Sequence, residues 1–169
     1  MAVNYGLGGF EQGSCFAYAF NNNDEVVVVS KRGVVKPLIG LDFLNLGQDA
    51  GVFSSNYHLV DIADGFIKVK TSGVFLISYN LTSTLPANQT IITAIKVKST
   101  TLEYGVQYGY NRSGVFQEIG SMALIYLNKN DEFSIGVGNT DTTESITINV
   151  ANVSIVKLSK SGRIDNSLV

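Results

Sequence analysis

The apolar residues of this chain recur at every second position and almost never at the three-to-four spacing of an amphipathic helix. Successive side chains of an extended strand point to opposite faces, so this period makes the chain all-β. Candidate strands are read from β-branched and aromatic enrichment between turn residues. They run from Cys15 to Phe20, Val26 to Ser30, Val34 to Ile39, Tyr57 to Ile62, Phe66 to Lys70, and Val74 to Thr82. The series continues with Thr90 to Lys98, Leu102 to Tyr110, Val115 to Leu127, Glu132 to Gly138, Ser145 to Val150, and Asn152 to Leu158. Between them lie Asn21-Asn22-Asn23-Asp24, Asp64-Gly65, Ser72-Gly73, Asn111-Arg112-Ser113-Gly114, Asn128-Lys129-Asn130-Asp131, and Asn139-Thr140-Asp141. Gly, Asn and Asp tolerate the positive φ of tight reversals, and Gly73 is expected to supply one. Many short strands with no helices between them predict an antiparallel two-sheet sandwich or barrel.

A chain of 169 residues fits one core. The expected division is a glycine-rich arm over 1–12, a domain over 13–158 and a polar tail over 159–169. Charged residues make up 15% of the chain, where a soluble domain averages about 25%. That deficit points to apolar surface hidden in a subunit interface. A net charge of -2 supplies no electrostatic basis for binding nucleic acid or an anionic membrane. The longest apolar runs fall far short of the ~20 residues that span a bilayer. The N-terminal stretch has neither a basic segment nor an apolar run of signal-peptide length, so classical secretion is not expected.

Catalytic chemistry is poorly provided for. A nucleophile needs a base and an orienting group, and His58 is the only histidine. Cys15 is the only cysteine, which rules out an internal disulfide and leaves Cys/His zinc sites without ligands; it is expected to be a buried thiol. Asp61 with Asp64 and Asp141 with Glu144 offer carboxylates, but calcium takes six to eight oxygens and neither loop has that density. No catalytic residue, metal or cofactor is therefore expected. Asn-x-Ser/Thr triplets at Asn80, Asn88, Asn111 and Asn152 read as part of an Asn/Thr-rich surface. Tyr104, Tyr108 and Tyr110 are evenly spaced along one presumed strand face and form either a packed stripe or an exposed recognition ridge.

From Pro37 onward, three segments carry a family likeness. Pro37 to Gly47 has a phenylalanine followed by Asn-x-Gly. Gly65 to Tyr79 is a strand, a turn glycine and a long strand with alternating aromatics. Met122 to Ile135 is an apolar strand, a Leu, a turn ending in Asp, and a second apolar strand, with Asn130 where a glycine is usual. With the closing segment Ala151 to Leu158, they resemble the globular heads of the complement-component-one-q and tumour-necrosis-factor superfamily. The Asn/Thr/Ser-rich loops are most similar to bacterial members, such as the C-terminal domain of the collagen-like glycoprotein of the spore exosporium. The resemblance implies a jelly-roll sandwich and a homotrimer around a threefold axis. Phe75, Tyr79, Tyr126 and Phe133 are then the candidate trimer-interface residues. It also implies a non-catalytic surface or assembly module of a bacterial spore outer layer, with self and other surface-layer proteins as partners. The alternative is a head that binds a receptor or glycan, as on a phage fibre, with display on a virion.

Overall fold

The computed structural model describes residues 16–21, 23–43, 59–98, 100, 102–112 and 117–159. The arm, the tail beyond residue 159, Cys15 and His58 lie outside the described residues. Among those described, the strands are β1 (Phe16–Asn21), β2 (Glu25–Val27), β3 (Lys36–Pro37), β4 (Asp42–Phe43), β5 (Val60–Ala63) and β6 (Phe66–Val69). They continue with β7 (Gly73–Thr84), β8 (Gln89–Val97), β9 (Glu103–Asn111), β10 (Gln117–Leu127), β11 (Glu132–Asn139) and β12 (Ile146–Ser159). Two antiparallel sheets result. One is ordered β10-β7-β12-β1-β4, with β2 also on β12; the other is ordered β5-β6-β11-β8-β9, with β3 on β11. The expected jelly-roll sandwich is the observed fold.

Alternation decides which side chains face inward. On β7, Phe75, Ile77, Tyr79 and Leu81 are buried, as are Ala151, Val153 and Ile155 on β12. Opposite them, Ile67, Val69, Ile91, Ile95, Phe133, Ile135 and Val137 fill the inner face of the second sheet. Removing a side chain of this size from water contributes about 1.5 to 3 kcal/mol, so these rows supply most of the drive to pair the sheets.

Turn chemistry matches the sequence in several places. Asp64 and Gly65 take φ of 51° and 76° between β5 and β6, and Asn130 takes 73° in the turn before β11. The Asp131 carboxylate accepts the Asn128 amide at 2.8 Å and so closes that turn locally.

Two expectations are corrected. Gly73 opens β7 opposite Leu127 with φ of 159°, close to extended backbone, so the reversal is made by residues 70–72. The two strands read at the C-terminal end are one, because a bulge between Ile148 and Val150 absorbs an extra residue while pairing to β7 continues.

Glu25, which sequence spacing leaves without a partner, turns out to be a clamp. Its carboxylate accepts the Ile39 amide at 2.7 Å and the Gly40 amide at 3.0 Å, and the Asn21 side-chain amide donates to it as well. The result ties β2 to the segment that leads into β4.

The β5–β6 turn gives a direct check on backbone geometry. A Cβ at Gly65 would sit 2.4 Å from the Leu38 carbonyl oxygen, on a residue already in the left-handed region. Gly65→Ala is expected to lower stability by roughly 2 to 3 kcal/mol in urea unfolding, since strain and steric conflict act together.

Candidate functional site

Three surfaces hold the residues singled out by sequence. The first is the inside of the sandwich, where Phe75 and Phe133 have no exposed area and Tyr79 is 4% exposed. This corrects their assignment to a subunit interface, because a side chain sealed between the two sheets of one subunit has no surface left for a neighbour. Tyr79 is instead a crosslink between the sheets. Its hydroxyl donates to the Gly105 carbonyl at 2.8 Å and is bonded to the Thr93 hydroxyl at the same distance.

Gly105 also decides the fate of the tyrosines on β9. Thr93 pairs with Gln107 and Ile95 with Tyr104, so β9 carries one residue more than β8 across this interval. Gly105, at φ of 55°, accommodates the bulge and lies against Ser121 and Met122 of β10. A bulge inverts the alternation beyond it. Tyr104 therefore packs partly buried against the core, while Tyr108 and Tyr110 point outward at 64% and 53% exposure. The evenly spaced trio is thus split, and the expectation of a single face is corrected. Beside the outward pair, Ile92 and Ala94 form a small second core with Val35 and Val106. The Tyr110 hydroxyl donates to the Asn88 side-chain oxygen at 3.2 Å.

The third surface is the outward face of the β10-β7-β12 layer. Tyr126 is 48% exposed there, on strand β10 at the edge of its sheet. Leu124 and Met122, two and four residues earlier on the same face, are 62% and 67% exposed. Pairing sets Tyr126 beside Val74, and Leu124 beside Leu76, which itself adjoins Val156. An apolar strip thus runs from the sheet edge inward across three strands. Sequence reading named only Tyr126 of this strip. The signal was present as every second residue of Met122 to Tyr126, but the intervening Ala123, Ile125 and Leu127 are apolar too, so alternation alone could not choose the face.

Three of the four carboxylates considered for calcium, Asp61, Asp141 and Glu144, are engaged in structural bonds. Asp61 pairs with Lys70 at 2.7 Å, and Asp141 accepts the Thr90 amide at 2.6 Å. Glu144 accepts from the Gln89 side chain, whose oxygen in turn takes the buried Asn139 amide at 2.5 Å. This network closes one end of the sandwich over buried polar groups that would otherwise be unsatisfied. Among the described residues, no three His, Cys, Asp or Glu side chains gather where they could hold a metal ion. Lys98 lies 2.6 Å from Glu132 and 4.7 Å above the Phe66 ring, and its ammonium holds the Glu132 carboxyl below the usual carboxylate range.

The paired sheets form a jelly-roll sandwich whose fold is similar to that of tumour-necrosis-factor and complement-1q domains. The chain is similar to the Eiger tumour necrosis factor of S. frugiperda, with a TM-score of 0.58 at 13% identity over 90% of this chain and 99% of the other. It is also similar to the globular domain of zebrafish complement 1qA protein, with a TM-score of 0.56 at 14% identity over 86% and 99% of the two chains. Murine APRIL aligns with a TM-score of 0.53 at 8% identity over 85% and 99%. No family model matches the sequence, and no curated protein matches it significantly.

Tyr79 provides a test of the crosslink. Burial pushes its hydroxyl above the ordinary tyrosine value, and the bond to Thr93 partly offsets that rise. A raised folded-state value means the stabilisation is complete below about pH 10, the unfolded value, and is lost as pH climbs through the folded value. Tyr79→Phe should cost about 1 to 2 kcal/mol at neutral pH, because Thr93 and the Gly105 carbonyl lose a partner. It should also flatten the alkaline fall in stability when urea midpoints are compared across that range.

Proposed function

We propose that this chain is a non-catalytic module that assembles with copies of itself as a homotrimer and acts through its surface. The observation that carries the reading is the strip of Met122, Leu124 and Tyr126 on β10, continuous with Val74, Leu76 and Val156. Edge strands exposing large apolar side chains invite association, and soluble monomers rarely leave such a surface uncovered. The low charge of the chain accords with a face covered in this way, and the superfamily it resembles assembles around a threefold axis. Particle-surface display, in a bacterial spore outer layer, is the setting we propose; its support is the likeness of the Asn/Thr/Ser-rich loops to spore-surface members.

A second reading is favoured by Tyr108 and Tyr110. They lie on the opposite sheet, remain open when the strip is covered, and present aromatic faces of the kind that glycan or protein receptors engage. Loss of a glycan-array signal in a Tyr108→Ala, Tyr110→Ala double variant would establish glycan binding there, and a blank array for the unmodified protein would remove glycans as its ligand.

Self-association is tested by light scattering across a dilution series. The unmodified chain is expected to scatter as three copies, and Leu124→Glu or Tyr126→Glu as one, with unchanged circular dichroism because both positions are exposed. A well-folded monomer at every concentration of the unmodified protein would end the reading.

A further inference from the structure

The outward face that carries the strip is not apolar throughout. Across the pairing from Tyr126, the rows are Tyr126 and Val74; Leu124, Leu76 and Val156; Met122, Ser78 and Ser154; Gly120, Asn80 and Asn152; and Glu118, Thr82 and Val150. Beyond them β2 makes the face apolar again, with Val26 opposite Thr147 and 61% exposed. A polar band therefore crosses the middle of a face whose two ends are apolar. Its centre is Asn80, which is exposed and whose side chain, unlike its ladder-paired backbone, is hydrogen-bonded to no other described residue. On its edge side stands Gly120, with no side chain to cover it. A Cβ on Gly120 would meet the Tyr79 carbonyl oxygen at 2.7 Å, so the notch beside Asn80 is a fixed feature of the backbone.

A neighbour that covered Leu124 and Tyr126 at one end and reached toward Val26 at the other would also cover this band. A carboxamide taken out of water without partners is strongly unfavourable, so it must be given partners by the neighbour. Polar positions within an otherwise apolar interface restrict the ways in which copies can meet to those that satisfy them. Closed rotational symmetry supplies such a partner, since residues near the axis meet their own equivalents. We propose that Asn80 sets the register and number of copies in the self-associated form by bonding to the equivalent asparagine of a neighbouring copy. This rests on the self-association reading above.

The decisive variant is Asn80→Asp, which keeps the shape and adds a charge. Carboxylates brought together by symmetry repel, and they lose that repulsion when protonated. At pH about 7.5 the variant should need roughly tenfold or more protein to assemble than the unmodified chain, and at pH about 4 the gap should close. Asn80→Leu should still associate, but light scattering and native mass spectrometry should show a mixture of oligomers in place of one species. If the unmodified chain is a single oligomer and both variants match it at both pH values, Asn80 does not face its equivalents and the proposal fails alone. A monomeric unmodified chain would instead remove the self-association reading, and this proposal with it.

Discussion

Everything in this subunit depends on β7, because its inner row of Phe75, Ile77, Tyr79 and Leu81 is sealed from water by the opposing sheet. The strand is paired along most of its length on both sides, to β10 and to β12. Its backbone groups are thus satisfied by neighbours while its side chains fill the gap between layers. Tyr79 adds a polar crosslink to that apolar row. Its hydroxyl reaches Thr93 and Gly105 in the second sheet and holds the β9 bulge against the core. The bulge in turn sends Tyr104 inward and leaves Tyr108 and Tyr110 outside.

The outward face of the same layer follows from the same strand. Once the odd positions of β7 are committed to the core, Val74, Leu76, Ser78 and Asn80 must face away. On β10 the matching outward set is Tyr126, Leu124, Met122 and Gly120. The apolar part of this surface lies at a sheet edge, where unpaired backbone and large side chains coincide, and that combination favours a covering partner. The opposite face differs in kind: small residues and a minor core of Val35, Ile92 and Ala94 underlie two exposed tyrosines. One subunit therefore carries an apolar strip at the edge of one sheet and a smaller aromatic patch on the outside of the other.

Carboxylates at a strand start and in a loop serve the fold. Glu25 gathers two successive backbone amides from a distant segment, and Asp141 accepts the amide of Thr90 near the start of β8. Each replaces a water-bonded backbone group with a charge-assisted bond, an efficient use of few charges in a chain that has few. These partners are 14 to 51 residues apart in sequence, and no local spacing rule would have paired them.

The sequence by itself determined the all-β class, most strand positions and the turn chemistry at Asp64-Gly65 and Asn128 to Asp131, because those depend on alternation and on backbone preferences of single residues. It also held the choice of inner face on β7: the odd row stays apolar from Phe75 through Leu81, whereas the even row turns polar at Ser78 and Asn80, so the longer apolar row takes the core. Phe75 and Tyr79 are therefore legible as core from the pattern of their own strand. Only the tertiary structure decided the rest. Even spacing on β9 implied one face for three tyrosines, but a bulge between paired strands is a property of the pair and not of either strand alone. On β10 both faces are apolar, and which one points outward was settled by pairing to β7 and by the closeness of Gly105. Sequence periodicity specifies that a strand has two faces, and only packing against a second sheet specifies which of them meets water.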